Sequence, residues 1–193
     1  MLRVDTAGLR REEVGGLRWS DIDLDTGALH IRRARVDVNG RDTIVPTKTE
    51  RSARGLPVPP RELAMLKAMR SVHLRERLAV GRPLTDAGLL LSRIDGMWLP
   101  LREYSREFAA QRIAAGLEAI ALGKLRHSNI SRMRAAGIAA DVVAAWHCHT
   151  ERMTQAVYGR VTDDRVTGAA DVFSLAVGQI EDTRRPALAP ANK

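Results

Sequence analysis

Cysteine is almost absent from this chain of 193 residues. Cys148 stands alone, so no disulfide framework can form and a reducing compartment is expected. Aromatic residues are scarce as well, at 4%. No apolar run approaches the roughly 18–20 residues that a membrane helix needs. The opening MLRVDTAGLRREE is charged early and lacks an apolar core of signal-peptide length. These absences predict a soluble, cytoplasmic protein with no membrane partner. Acidic residues are outnumbered, 23 Asp and Glu against 31 Lys and Arg, for a net charge of +8. That balance favours polyanions, with nucleic acid the first candidate, although an Arg- and Ala-rich genomic composition is a competing origin for the excess. The 45% hydrophobic content suits a folded domain, and the length suits one domain with or without a tail.

The chain shows no internal repeat, and its periodicities predict an α+β fold, mainly helical with a small three-stranded antiparallel sheet. Leu9, Val14 and Leu17 are spaced for a helix over Arg10–Trp19, which Gly15 and Gly16 weaken and Ser20–Asp21 ends. Alternation at Leu29, Ile31, Val36 and Val38 predicts a first strand, bent near Arg33. Asn39–Gly40 is the strongest hairpin signal in the chain. Thr43–Val45 is the expected return strand. Gly55–Val58 is expected as a third, held to an edge by Pro57, Pro59 and Pro60. Helices are expected over about Arg61–Leu78, with Leu63, Leu66, Met69, Val72 and His73 on one face, and over about Arg102–Ala121. Leu90 and its neighbours suggest a short buried strand or turn between them. Leu125–Ala136 should be a helix stopped by Gly137. Asp141 should cap another that runs to about Cys148, and Met153–Gly159 should form a short one. Residues 169–181 are amphipathic, and the Pro- and Ala-rich end over 182–193 is expected to be disordered.

Chemistry concentrates between Gly123 and Tyr158, in GKLRHSNISRMRAAGIAADVVAAWHCHTERMTQAVY. Arg126, His127, His149 and Tyr158 offer a guanidinium, two imidazoles and a phenol, without an acidic cluster or a metal-ligand spacing. Such groups suit holding a phosphate and attacking it. His147, Cys148 and His149 together suggest zinc, but consecutive helical side chains diverge by about 100° and cannot converge on one ion. No metal or other cofactor is expected.

The stretch resembles the C-terminal half of a phage-type tyrosine recombinase (integrase) catalytic domain. The pattern there is H-x-x-R-H, a small-residue helix ending in Gly, then G-H or G-W, then the tyrosine. Arg126, His127, Gly137, His149 and Tyr158 fall in that register, whereas Gly123 replaces the first His and Cys148 the Gly. Upstream, GLRREEVGGLRWSDIDLDTG resembles the segment around the family's first catalytic arginine, which matches Arg10, with Glu13 as its brace. VPTKTERSARGLPVP resembles its Lys-Thr, Ser-x-Arg and Leu-Pro run, which matches Lys48.

The resemblance implies transesterification of double-stranded DNA. Tyr158 would attack a phosphodiester to give a 3′-phosphotyrosyl link, with Arg10 and Arg126 clamping the phosphate, since a guanidinium donates paired hydrogen bonds to phosphate oxygens. His149 would bond the same phosphate. Lys48 would protonate the leaving 5′-oxygen, because an ammonium gives up a proton more readily than a guanidinium. His127 and Glu13 would support the site, and Arg51 and Arg54 would lie against nucleic acid. Tyr104, the other tyrosine, lacks such a setting. Strand exchange implies further recombinase protomers in a synaptic assembly, with residues 169–181 as the docking segment. Family members carry a helical DNA-clamp domain and further helices ahead of the first arginine. With nine residues before Arg10, residues 1–181 are expected to be a catalytic domain on its own, a fragment or a remnant. Two alternatives share these residues: a DNA-binding remnant that no longer recombines, and an enzyme that relaxes supercoils by the same chemistry.

Overall fold

A computed structural model describes residues 8–47, 53–117 and 120–158, the side chains of 157 and 158 excepted. The short helix α1 (Arg11–Gly16) opens the described chain and leads through a 3-10 turn, Trp19–Asp21, into β1 (Ile22–Asp23). Five short strands follow one another before the helices: β2 (Ala28–Ile31), β3 (Arg33–Val38), β4 (Arg41–Pro46) and β5 (Arg54–Pro57) complete the set begun by β1. The helices are α2 (Pro60–Ala79), α3 (Leu101–Ala114), α4 (Leu125–Ala135), α5 (Ala140–His147) and α6 (Glu151–Tyr158). The core gathers Val14 of α1 and Leu17 just after it, Leu29 and Ile31 of β2, Leu56, Leu66, and Tyr104 of α3. None of the helices among the described residues is long and apolar enough to cross a membrane.

The expected single long strand is in fact two strands in two sheets. β2 sits between β1 and β5 in a three-stranded antiparallel sheet, while β3 pairs only with β4. The break falls at Arg32, beside an Arg33 guanidinium held by the buried Asp21 carboxylate at 2.9 Å. Side-chain parity does not change there, so odd-numbered positions stay inward. Leu29 and Ile31 face inward as expected, but Arg35 is the fully buried side chain of β3 and Val38 is 46% exposed. Arg35 is accepted in the interior because its Nη2 donates to the Leu99 carbonyl at 2.6 Å and its guanidinium stands 5.9 Å from the Trp98 ring. Asp42 approaches it at 3.8 Å. The Asn39–Gly40 turn is as read from sequence. Both residues have positive φ, 52° and 78°, which matches the right-handed twist of the hairpin strands.

The helix boundaries also depart in instructive places. α3 ends at Ala114, well before Ala121, where Gly116 takes φ 66°. Gly137, with φ 81°, closes α4 as expected. Asp141 does not cap α5: Ala139 holds the cap position, and Asp141 lies in the first turn, where its charge still suits the helix dipole. In α2 the expected apolar face is shallow. Leu66 is buried, whereas Val72, Leu74 and Leu78 are exposed, and Arg77 is buried instead, donating to Ser92 Oγ at 2.7 Å. The expected docking segment over 169–181 and the expected disordered end over 182–193 lie outside the described residues.

Gly15 and Gly16 weaken α1 as a helix and make its packing possible. A Cβ on Gly16 would meet the Arg33 carbonyl at 2.9 Å and Ala34 Cα at 3.0 Å, both backbone atoms that cannot swing aside. Gly16→Ala is therefore expected to destabilise the domain by about 1–3 kcal/mol despite the better helix propensity of alanine. Urea unfolding monitored by circular dichroism measures this, and a neutral or stabilising result would contradict the packing argument.

Candidate active site

Glu13 is the acidic centre of the site. It occupies the third position of α1, from which one carboxylate oxygen reaches back to the Arg10 amide at 2.8 Å. The other accepts from the Arg10 guanidinium at 3.1 Å. Arg54, on β5, donates from both terminal nitrogens to the two oxygens, each at 3.1 Å, and its Nε donates to the Trp146 carbonyl at 2.8 Å. Glu13 is only 4% exposed. Burial alone would raise its pKa, but the hydrogen bonds and positive charges of Arg54 and Arg10 outweigh it and hold the carboxyl below its ordinary range. This geometry corrects one expectation. The Arg54 side chain is 8% exposed and committed to Glu13 and α5, so it serves as an interior brace and not as a surface contact for nucleic acid.

Arg10 and Arg126 line one pocket of about 330 Å³, together with Leu122, Gly123 and Ser105. The Arg10 side chain remains 45% exposed while its guanidinium leans on Glu13. Arg126, on the first turn of α4, is held by main-chain carbonyls: Nη1 donates to Gly8 at 3.0 Å, and Nη2 donates to His147. Its pKa is pushed down to about 10, first by burial and then by the charge of Arg10, with Glu13 opposing and Arg54 adding to the effect. It remains a cation at neutral pH. Two guanidinium groups therefore converge on a concave opening, where the lining carboxylate of Glu12 is paired with Arg11 at 2.8 Å and that of Glu13 behind is already shared.

The α5–α6 corner supplies the imidazoles. Cys148 ends α5 in the left-handed region, φ 51° and ψ 60°, a conformation that favours glycine. That turn carries the chain from buried His147 to partly exposed His149. Their rings are stacked, with centroids 5.9 Å apart and planes within 6°. His147 Nε2 pairs with Asn129 Oδ1 at 2.8 Å. The pKa of His147 is depressed to about 3, by burial foremost and then by the charge of Arg126. His149 is shifted in the same direction, again chiefly by burial. Thr154, fully buried on α6, places Oγ1 3.0 Å from His149 Nδ1.

The structure thus brings Arg10, Glu13, Arg126 and His149 into one neighbourhood. His127, on α4, is exposed. Tyr158 is the last residue of α6, about one helical turn beyond Thr154. Lys48 and Arg51 lie outside the described residues. Tyr104 is 2% exposed within the core, a place from which it cannot attack a substrate. Sequence reasoning missed Asn129 and Thr154, and gave His147, weighed as a zinc ligand, no part in the site. Only Thr154 left a usable trace, since it falls one helical turn before Tyr158.

The Phage integrase family model matches residues 1–165. The chain belongs to that family. A tyrosine recombinase XerC-like protein of Caldanaerobacter subterraneus subsp. tengcongensis is 24% identical over 181 residues, covering 86% of this chain. The chain spans 46% of that relative's length. Among solved structures, the Tn1549 transposon integrase in complex with transposon right end DNA superposes with a TM-score of 0.67 at 17% identity. That match covers 88% of this chain and 56% of the integrase. The XerA recombinase superposes with a TM-score of 0.58 at 19% identity, over 95% of this chain and 55% of that one. The integrase family and its mixed helix-and-sheet fold, expected from the Arg10 and Arg126–Tyr158 motifs, are therefore the family and fold found.

Burial of neutral His147 has a consequence for stability. Between about pH 6.5 and 3 the unfolded chain takes up a proton that the native imidazole refuses, so stability falls as pH drops through that window. From pH 7 to 5, His147 alone should remove about 1–2 kcal/mol. Thermal melts across this range should show the loss. His147→Gln, which keeps a partner for Asn129 but cannot titrate, should flatten the slope, and an unchanged slope would refute the assignment.

Proposed function

We propose that this chain carries out the strand cleavage and rejoining of site-specific DNA recombination, through a 3′-phosphotyrosine intermediate formed by Tyr158. The observation that carries the proposal is the convergence of Arg10 and Arg126 on one pocket, with His149 close enough to feel both charges and Tyr158 on the following helix. Family membership supports it, as do the similar structures of the Tn1549 integrase in complex with transposon right end DNA or a circular intermediate DNA.

In this reading Arg10 and Arg126 bind the two non-bridging oxygens of the scissile phosphate. The Tyr158 phenol loses its proton as its oxygen attacks phosphorus, and the bond to the 5′-oxygen breaks. Lys48 supplies the proton that leaves with that oxygen. Charge grows on the equatorial oxygens in the five-coordinate transition state, where preorganised guanidinium groups stabilise it most. A free 5′-hydroxyl of a second strand then reverses the step, releasing Tyr158. The bond energy stays in the protein–DNA link. Double-stranded DNA and further protomers are the partners implied, with Arg51 set against the DNA backbone.

One observation favours a second reading. Gly123 lines the pocket where the family pattern carries histidine, and nothing lies within 4 Å of a Cβ built there. Without that group the chain could bind DNA and cleave it poorly or not at all. A nicked suicide DNA substrate separates the two readings. Wild-type protein should form a covalent adduct that denaturing gels resolve, Tyr158→Phe should form none, and Arg126→Ala should lower the rate by about 100-fold or more. Salt-sensitive DNA binding with no adduct would establish the remnant instead.

The open space at Gly123 makes a gain of function testable. Gly123→His should be accommodated without strain and raise the adduct-forming rate by about 10- to 100-fold, part of what a general acid–base group contributes. Single-turnover kinetics on the same substrate measures it. A rate unchanged or lowered would mean that the pocket is not the phosphate site.

A further inference from the structure

We propose that Thr154 is a positioning residue, whose hydroxyl fixes the proton of His149 on Nε2 and so makes that imidazole a neutral hydrogen-bond donor toward the phosphate. The inference rests on reading Arg10, Arg126 and His149 as one phosphate site.

Thr154 is fully buried, so its single O–H must find an acceptor inside the protein. Two are in reach. The Thr150 carbonyl is 3.5 Å away and already accepts the Thr154 amide at 3.1 Å. His149 Nδ1 is at 3.0 Å. The closer and less occupied acceptor is the imidazole. Nδ1 then carries the lone pair, and the ring proton of the neutral form lies on Nε2.

The other end of the ring fits this assignment. Nε2 is enclosed and has no hydrogen-bond partner among the described residues. Buried donors are almost always paired, so an enclosed, unpaired N–H near the charges of Arg126 and Arg10 calls for an acceptor, which an anionic oxygen reaching past the pocket would supply. Arg126 and Arg10 both lie close enough to depress the basicity of His149, and burial does so first, which keeps the ring neutral near pH 7. The ring plane is set from the side by the parallel His147, which Asn129 holds in turn at 2.8 Å. A protonated His149 would also donate from Nε2. It would, however, have no lone pair left for Thr154.

The competing arrangement puts the proton on Nδ1, donating to the Thr150 carbonyl at 3.2 Å. Nε2 would then be an acceptor and would repel a phosphate oxygen. Thr154 decides between the two, and its removal should let the second arrangement in.

The test is nitrogen NMR of the full chain labelled with 15N-histidine, at about pH 7.5, where an ordinary imidazole is neutral. Wild type and Thr154→Ser should show the Nε2–H pattern for His149, whereas Thr154→Val should shift it toward Nδ1–H. Thr154→Ala serves as the smaller second variant if valine disturbs folding, with the His147 signals reporting an intact core. On the suicide substrate, Thr154→Val or Thr154→Ala should slow adduct formation by about 10- to 100-fold with DNA affinity unchanged, and Thr154→Ser should restore it. A wild-type His149 protonated on Nδ1, or a tautomer indifferent to Thr154, overturns the proposal. A Thr154-dependent Nε2–H pattern in a wild-type protein that forms no adduct supports the positioning role and sinks only the recombinase reading.

Discussion

The buried carboxylate of Glu13 is the constraint on which the rest of the site depends. It joins the amide and guanidinium of Arg10 to both terminal nitrogens of Arg54, while Arg54 in turn holds the Trp146 carbonyl. Three segments far apart in sequence, α1, β5 and α5, thereby meet at one point. A buried ion pair of this kind is poor evidence for stability, because desolvation offsets most of the attraction. Its value here is positional. Removing the carboxylate would leave Arg10, Arg54 and Arg126 facing one another across a partly dry interior, and their repulsion would open the pocket.

Charge near the pocket is left deliberately incomplete. Arg10, Arg54 and Arg126 share one acidic partner, Glu13, in the interactions that define the site. Arg126 is anchored by neutral carbonyls of Gly8 and His147 and not by a second carboxylate. Main-chain carbonyls orient a guanidinium without neutralising it. The remaining positive field is therefore available to an anion, and a phosphodiester inserted there meets donors already in place. Burial first, and neighbouring positive charge second, keeps His147 and His149 neutral: Arg126 acts on both, with Arg54 adding to it at His147 and Arg10 at His149.

Much of this was legible in the chain, for identifiable reasons. The Asn39–Gly40 turn and the Gly137 stop are local backbone requirements, so the residue type alone announces them. Arg10, Arg126 and His149 stood out because the strings around them resemble the integrase motifs, each several residues long. The misreadings share a cause, namely that a side chain's partner lies far away in sequence. Arg54 looked like a surface cation because Glu13 is 41 positions upstream. Val36 and Val38 suggested an inward face because nothing local indicates that Arg35 will find Leu99 and Trp98. Asp141 resembled a cap, but the cap position falls to Ala139, two residues earlier. Asn129 gave no signal, and His147, in the run His147–Cys148–His149, pointed toward a metal that helical spacing disfavours.

The central claim is that Glu13 organises the arginines for chemistry and not merely for folding. Single-turnover cleavage of a nicked DNA substrate by Glu13→Gln tests it most directly, with DNA affinity and unfolding free energy measured on the same preparation. Glutamine keeps the shape but loses the charge and one of the paired acceptors. Cleavage slowed by about 100-fold, beyond any change in affinity and in a protein still folded at the assay temperature, is the outcome this account predicts. Cleavage at the wild-type rate by a folded Glu13→Gln protein would contradict it.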